Sequence, residues 1–128
     1  MMIPEELLYT DQHEWVRLEG ETATGGITDY AQKALGDITF AELPAVDADL
    51  KKGDEAVALE SCKAAASVYA PAAGRIVAVN TALEDNPGLI NSDPYGRGWI
   101  FKMSVADKRE LAGLMNAQQY AQHLGGQE

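Results

Sequence analysis

The sequence predicts a mainly β protein: a flattened barrel or sandwich of short antiparallel strands, with a short internal helix and helices near the C-terminus. Short apolar runs punctuated by Gly, Pro, Asn and Asp fill residues 7 to 103, which is the pattern of many brief strands joined by tight turns. Helical spacing of apolar residues shows only near residue 30 and beyond residue 107.

Strands are read at residues 15–18, 23–27, 38–43, 55–61, 66–69, 75–79 and 99–103. Glu19-Gly20-Glu21 supplies a hairpin turn, and Lys51-Lys52-Gly53-Asp54 and Pro71-Ala72-Ala73-Gly74 supply two more, because Gly and Pro set the dihedrals that turns need. Thr28 can cap a short helix holding Tyr30, Ala31, Ala34 and Leu35, with Gly36 in the stop position. Asp107 followed three residues later by Glu110 resembles a capping box, leading into Leu111, Leu114 and Met115 on one helical face. Asn116 can cap a last helix carrying Tyr120 and Leu124 and ended by Gly125-Gly126, after which the chain is expected to fray. These apolar stripes are read as core. Residues 45–61 and 69–90 form an imperfect repeat, each running through a Gly turn into an apolar strand. Such a repeat suggests two similar β-halves facing each other, with the segment between them making the outermost hairpin.

A chain of 128 residues, 46% of them hydrophobic, suits one domain with an ordinary core. We expect it to span 1–128, with a β body over about 7–104 and a helical segment over about 107–124. Ten Lys and Arg against twenty Asp and Glu give a formal net charge of -10. That balance argues against a nucleic-acid or anionic-membrane partner, both of which need basic patches. The one cysteine, Cys62, excludes an intramolecular disulfide and a cysteine-based metal site, and fits a reducing compartment. Met1-Met2-Ile3-Pro4-Glu5-Glu6 has neither the basic region nor the apolar run of a signal peptide. A cytoplasmic monomer is the expectation.

The informative stretch is residues 59–71, Leu-Glu-Ser-Cys-Lys-Ala-Ala-Ala-Ser-Val-Tyr-Ala-Pro. Lys63 sits between apolar strand residues and is flanked by small ones, which leaves its ε-amine sterically open to a modifying enzyme. The plain alternative is an exposed hairpin lysine of no special use. Only His13, His123 and Cys62 offer obvious nucleophile or base chemistry, and no triad or metal motif joins them. No catalytic residue and no metal is therefore assigned.

Further blocks accompany this stretch: His13-Glu14-Trp15, Gly26-Ile27-Thr28-Asp29-Tyr30-Ala31-Gln32, Leu35-Gly36-Asp37 and Glu42-Leu43-Pro44. Then come Glu60-Ser61, Lys63-Ala64-Ala65, Tyr69-Ala70-Pro71 with Gly74, Val79-Asn80, residues 87–91, Pro94-Tyr95 and Gly98-Trp99-Ile100-Phe101-Lys102. Over nearly its full length the chain resembles the glycine cleavage H protein family. The resemblance implies a lipoyl-domain-like barrel-sandwich hybrid with lipoate joined to Lys63 by an amide. It implies that Glu60 and Gly74 help a lipoate ligase or lipoyl/octanoyl transferase recognise the site. It also implies a non-catalytic shuttle that carries an aminomethyl group from a pyridoxal-phosphate glycine decarboxylase to a folate-dependent aminomethyltransferase. A dihydrolipoyl dehydrogenase then reoxidises the arm. The cofactors carry the hard chemistry and the protein supplies presentation.

In the family the loaded arm folds into a surface cleft, and Glu14 is the candidate acid for its ammonium. A charge-assisted hydrogen bond there is worth about 1.5–3 kcal/mol when desolvated. Trp15 is read as core and His13 as structural. The chain departs from the family pattern at Gln12, Ser in some members; at Cys62, usually Val; at Ala66, usually Ser; and at Ser67, usually Asp. The last change removes one carboxylate from the expected amine site, leaving Gln12 and Ser67 as uncharged arm-cleft candidates. Cys62 is read as a small apolar substitute, and Gly74 alternatively as a turn residue with positive φ. Other readings are a lipoyl or octanoyl donor in a protein lipoylation relay, an enzyme, an unmodified β domain, and a biotin carrier. The last normally flanks its lysine with methionines.

Overall fold

The computed structural model describes residues 1–125. Nine strands and four α-helices follow in chain order: β1 (Leu8–Tyr9), β2 (Glu14–Glu19), β3 (Thr22–Ile27), α1 (Asp29–Leu35), β4 (Ile38–Glu42), β5 (Asp49–Leu50), β6 (Glu55–Ser61), β7 (Ala65–Tyr69), β8 (Gly74–Val79), α2 (Ala82–Asp85), α3 (Leu89–Ser92), β9 (Phe101–Val105) and α4 (Ala117–Gly125). The strands form a six-stranded sheet in the order β1-β2-β3-β9-β8-β5 and a three-stranded sheet in the order β4-β6-β7. Every pairing is antiparallel. Among the described residues no helix is long and apolar enough to cross a membrane.

Alternation explains which side chains enter the main core. Phe101, Met103 and Val105 of β9 point inward while Ser104 faces solvent, and Val57 and Leu59 of β6 meet them from the other sheet. A second cluster joins Leu7, Tyr9, Trp15, Tyr120 and Leu124. It seats α4 against the β1–β2 end of the large sheet. Tyr9 stacks on Tyr120 with ring centroids 4.6 Å apart, and the buried indole of Trp15 donates to the Pro94 carbonyl at 3.0 Å. Strand β2 therefore reads as apolar on both faces at Trp15 and Val16, since it is walled in by both clusters.

The structure redraws several elements. Leu111, Leu114 and Met115 share no helix: a 3-10 turn covers Lys108–Leu111 only. Met115 instead exchanges both backbone hydrogen bonds with Tyr9, at 2.8 Å each. The capping box at Asp107 is half made. Asp107 accepts from the Arg109 N–H, while the Glu110 carboxylate turns away to accept from the Ala73 N–H at 2.9 Å. Asn116 forms the reciprocal box, its side chain accepting from the Gln119 N–H and the Gln119 side chain accepting from its own. Gly126 of the expected stop, and the fraying expected after it, fall outside the described residues. The last strand runs to Val105 and leaves Trp99 outside.

The two halves of the repeat enter opposite sheets. The turn at Gly53 leads into β6, and the turn ending at Gly74 leads into β8. The second half then continues into α2 and α3, which have no counterpart in the first.

Candidate functional site

Lys63 occupies the middle of the three-residue connection between β6 and β7 and is exposed, as are Cys62, Ala64 and Ala65. One hydroxyl shapes this tip. Ser61 Oγ accepts from the Lys63 N–H at 3.1 Å and the Ala64 N–H at 3.0 Å, and donates to the Ala64 carbonyl at 3.1 Å. The backbone bond from Ser61 N to Ala64 O closes the turn at 2.8 Å. A second anchor comes from outside the hairpin: Cys62 N–H donates to the Asp37 carbonyl at 3.0 Å.

Gly36 caps α1 with φ 77°, and a Cβ there would sit 3.2 Å from Cys62 Sγ and 3.3 Å from Lys63 Cε. The stem of Lys63 thus lies across the bare C-terminal end of α1. Asn91 of α3 steadies that end, donating to the Gly36 carbonyl at 2.8 Å and accepting from the Ile38 N–H at 2.9 Å. Thr28 caps the opposite end of α1, accepting from the Ala31 N–H. Cys62 fills no core position, because it is exposed.

Beside this platform runs a cleft of about 200 Å³. Its walls bring together three of the sequence-derived candidates, Gln12, Glu14 and Ser67, with His13, Tyr30 and Leu35 among their neighbours. The α1 stripe read as core is thus shared: Ala31 and Leu35 pack on the main core, yet Tyr30, Ala31, Ala34 and Leu35 all line the cleft.

Glu14 is only 5% exposed, not a solvated strand residue. Its carboxylate accepts from Thr10 Oγ at 2.9 Å and from the Tyr69 N–H at 2.6 Å. Burial nevertheless raises its carboxyl above the usual range, with those two hydrogen bonds acting in the opposite direction. Ser67 donates to Glu55 at 2.9 Å, which brings a second carboxylate to the residue where the family's acid is missing. Sequence reasoning passed over Glu55. The signal was the antiparallel register that sets Glu55 against Tyr69.

Behind the cleft, His13 adopts φ 66° and shares a 2.8 Å hydrogen bond between Nδ1 and the Tyr120 hydroxyl. Tyr120 in turn lies 2.8 Å from Thr28 Oγ, and burial pushes its phenol up to about 12. This chain of hydrogen bonds ties α4 to His13 ahead of β2 and to the N-cap of α1, a structural use of His13.

Glu60 and Gly74 do not meet. Glu60 is exposed on β6, whereas Gly74 begins β8 in the other sheet, opposite Leu50 and Val105. Gly74 has no positive φ, so that explanation of it is withdrawn. A Cβ at this position would run into the Ser104 carbonyl oxygen, and close approach of β9 is what demands glycine.

Two facing antiparallel sheets that display a lysine on a pinned hairpin, next to an apolar cleft walled by a buried carboxylate, define the class: a barrel-sandwich domain with a presented lysine. The chain belongs to the glycine cleavage H-protein family, whose model, described as Glycine cleavage H-protein, matches residues 7–127. It is 54% identical over 124 residues to the glycine cleavage system H protein of Chromobacterium violaceum, covering 96% of this chain and 97% of that one. It is 47% identical over 124 residues to that of Halothermothrix orenii, covering 97% of each. The crystal structure of a glycine cleavage system H protein from Mycobacterium marinum superposes with a TM-score of 0.88 at 37% identity, covering 96% of this chain and 99% of the other.

Proposed function

We propose that this protein is the lipoyl carrier of a glycine cleavage system, a single non-catalytic carrier domain modified on Lys63. The observation that carries the reading is the pairing of an exposed, sterically open Lys63 amine with an adjacent cleft holding a buried acid. The residues present suit such a group. Small neighbours leave Nζ accessible, and the cleft wall is apolar along α1 with polar groups at Gln12, Glu14 and Ser67.

Attachment makes one amide. The deprotonated Nζ attacks the activated carboxyl carbon of an acyl donor, the bond to the donor's leaving group breaks with its electron pair, and the amine proton passes to solvent. The enzyme for this step is a lipoate ligase or a lipoyl/octanoyl transferase, with Glu60 and Gly74 as recognition elements. When bound, the lipoyl group would supply a dithiolane as acceptor for an aminomethyl unit, and the dithiol left once that unit is passed on would be oxidised back to the dithiolane. Ser61 and the Asp37 carbonyl hold the anchor point still, and Gly36 leaves room for the stem to cross α1. Glu14 would meet a cationic amine in the cleft, and Gln12 and Ser67 would add neutral hydrogen bonds, the latter backed by Glu55. Apolar walls exclude water from a labile adduct. The partners in this reading are a glycine decarboxylase, an aminomethyltransferase and a dihydrolipoyl dehydrogenase.

Intact-mass spectrometry of the protein purified from its own host tests this. A lipoyl-sized increment mapped to Lys63 supports the carrier; its persistent absence while the lipoylating machinery is active defeats it.

A further inference from the structure

We propose that Phe40 and the groove beside it are the docking surface for the enzyme that acylates Lys63, which meets them with an apolar side chain flanked by Lys or Arg. This rests on the carrier reading of Lys63. The protein has two phenylalanines. Phe101 is 1% exposed, as a core aromatic should be, while Phe40 is 50% exposed. The exposure is produced by a specific backbone feature. Strand β4 buries Ile38, so simple alternation would turn Phe40 inward as well. A register shift between Ile38 and Phe40 inserts Thr39, and Ala41 takes the buried position instead. An irregularity in the strand thus places the largest side chain of β4 in water.

Its position is adjacent to the modification hairpin. Phe40 pairs directly with Glu60, so the two share one face of the sheet. Beside Phe40 lies a groove of about 490 Å³ lined by Glu42, Leu43, Pro44, Val79 and Glu84 as well. Its lining is apolar apart from the carboxylates of Glu42 and Glu84. None of the ion pairs among the described residues takes up Glu42, Glu60 or Glu84. The complement is a basic surface with an apolar projection.

The occupant follows from geometry. An enzyme that works at the far end of a flexible arm need not touch the hairpin body. An enzyme that forms the amide at Nζ must bring the acyl carbon to bonding distance, so its body rests on the strands around Lys63. A standard interface covers roughly 800 Å² per partner, and an exposed aromatic inside that footprint is the usual energetic centre.

The test is acylation of the unmodified protein by the host's lipoate–protein ligase with lipoate and ATP, followed by intact mass. Phe40→Ala should lower kcat/KM at least about tenfold, mainly through KM, with an unchanged thermal midpoint; Phe40→Leu should fall between. Val77→Ala, a change at another exposed apolar residue, on β8, should match wild type. Lys63→Arg protein should inhibit the ligase competitively, and the Phe40→Ala, Lys63→Arg double variant should not. Phe40→Ala acylated at the wild-type rate would overturn the proposal. So would a wild-type dimer by sedimentation that Phe40→Ala dissolves with acylation intact, which would assign the face to a second copy of the chain. Wild type left unacylated at Lys63 would instead sink the carrier reading itself.

Discussion

The hairpin around Lys63 and the pocket around Glu14 serve one cleft and are built in opposite ways. The hairpin tip buries nothing: residues 62 to 65 are all exposed, and four short hydrogen bonds on and around Ser61 hold its shape. Glu14 is buried at the start of β2, beside the two residues that enter the hydrophobic clusters, with both carboxylate oxygens already accepting hydrogen bonds. Under the proposed carrier role, the contrast follows from what each must do. An amine that is to be acylated has to be reachable and uncharged at the moment of attack, so burying it would gain nothing. An acid that is to hold a cation strongly has to be taken out of high dielectric first. The tip is rigid through local hydrogen bonding, and the pocket is rigid through tertiary packing.

The largest effect expected is at the tip and concerns function alone. Lys63→Arg should abolish acylation completely, because a guanidinium cannot give up its proton to become a nucleophile. Its unfolding free energy should stay within about 0.5 kcal/mol of wild type, as for surface changes generally. A denaturant midpoint that moved substantially would mean the lysine is structural and would erase the contrast drawn above. Next comes Gly74→Ala, where the added methyl meets backbone and not a side chain that could swing aside. We expect about 1–3 kcal/mol of destabilisation by urea titration and, with Gly74 a recognition element in the proposed reading, slower acylation of the fraction that stays folded. Ser61→Ala should cost about 1 kcal/mol, since the bonds it loses are solvent-exposed. It should nevertheless slow acylation of fully folded protein, measured by intact mass over time. A Ser61 variant acylated at full speed would show that the tip needs no such shaping.

How much of this was legible in the chain differs between the two regions. The hairpin is read from its flanks: strand-length apolar runs on either side of Lys63 leave only a few residues for the reversal, and β6 and β7 pair across it. The Thr28 cap and the Gly36 stop of α1 are read directly. The pocket was legible only through family likeness. That Glu14 would be buried depends on β7 coming beside it from far along the chain, where the Tyr69 N–H donates to its carboxylate. The helix expected at Leu111 to Met115 failed for the same reason, since its spacing suited a helix but Tyr9 offered Met115 a strand partner. Glu55 and Gly36 acquire their site contacts from strand register and hairpin placement, which no local pattern records. Short-range elements are written in periodicity, whereas the neighbours of a buried acid are set by the whole topology.

The subtlest test falls on the pocket side and concerns pH. Burial raises the Glu14 carboxyl above its ordinary 4.5, against the pull of its bonds from Tyr69 and Thr10. The folded protein therefore holds this proton more tightly than the unfolded chain does. Below pH 4.5 both states carry the proton, and no buried charge has to be supported. As pH rises through the window that opens at 4.5 and closes at the raised folded value, the unfolded chain releases its proton first and stability falls. Above that window the loss is constant. Glu14→Gln removes the titration while keeping the shape, so the urea midpoint of wild type minus that of the variant should decline across the window and then level off. A difference that climbed with pH would mean hydrogen bonding outweighs burial, and Glu14 would then resemble the exposed carboxylates of the surface. Loading sharpens the comparison: an ammonium held against Glu14 favours the carboxylate, so the decline should shrink in aminomethyl-loaded protein. Lys63→Arg, which carries no arm, should retain the full decline.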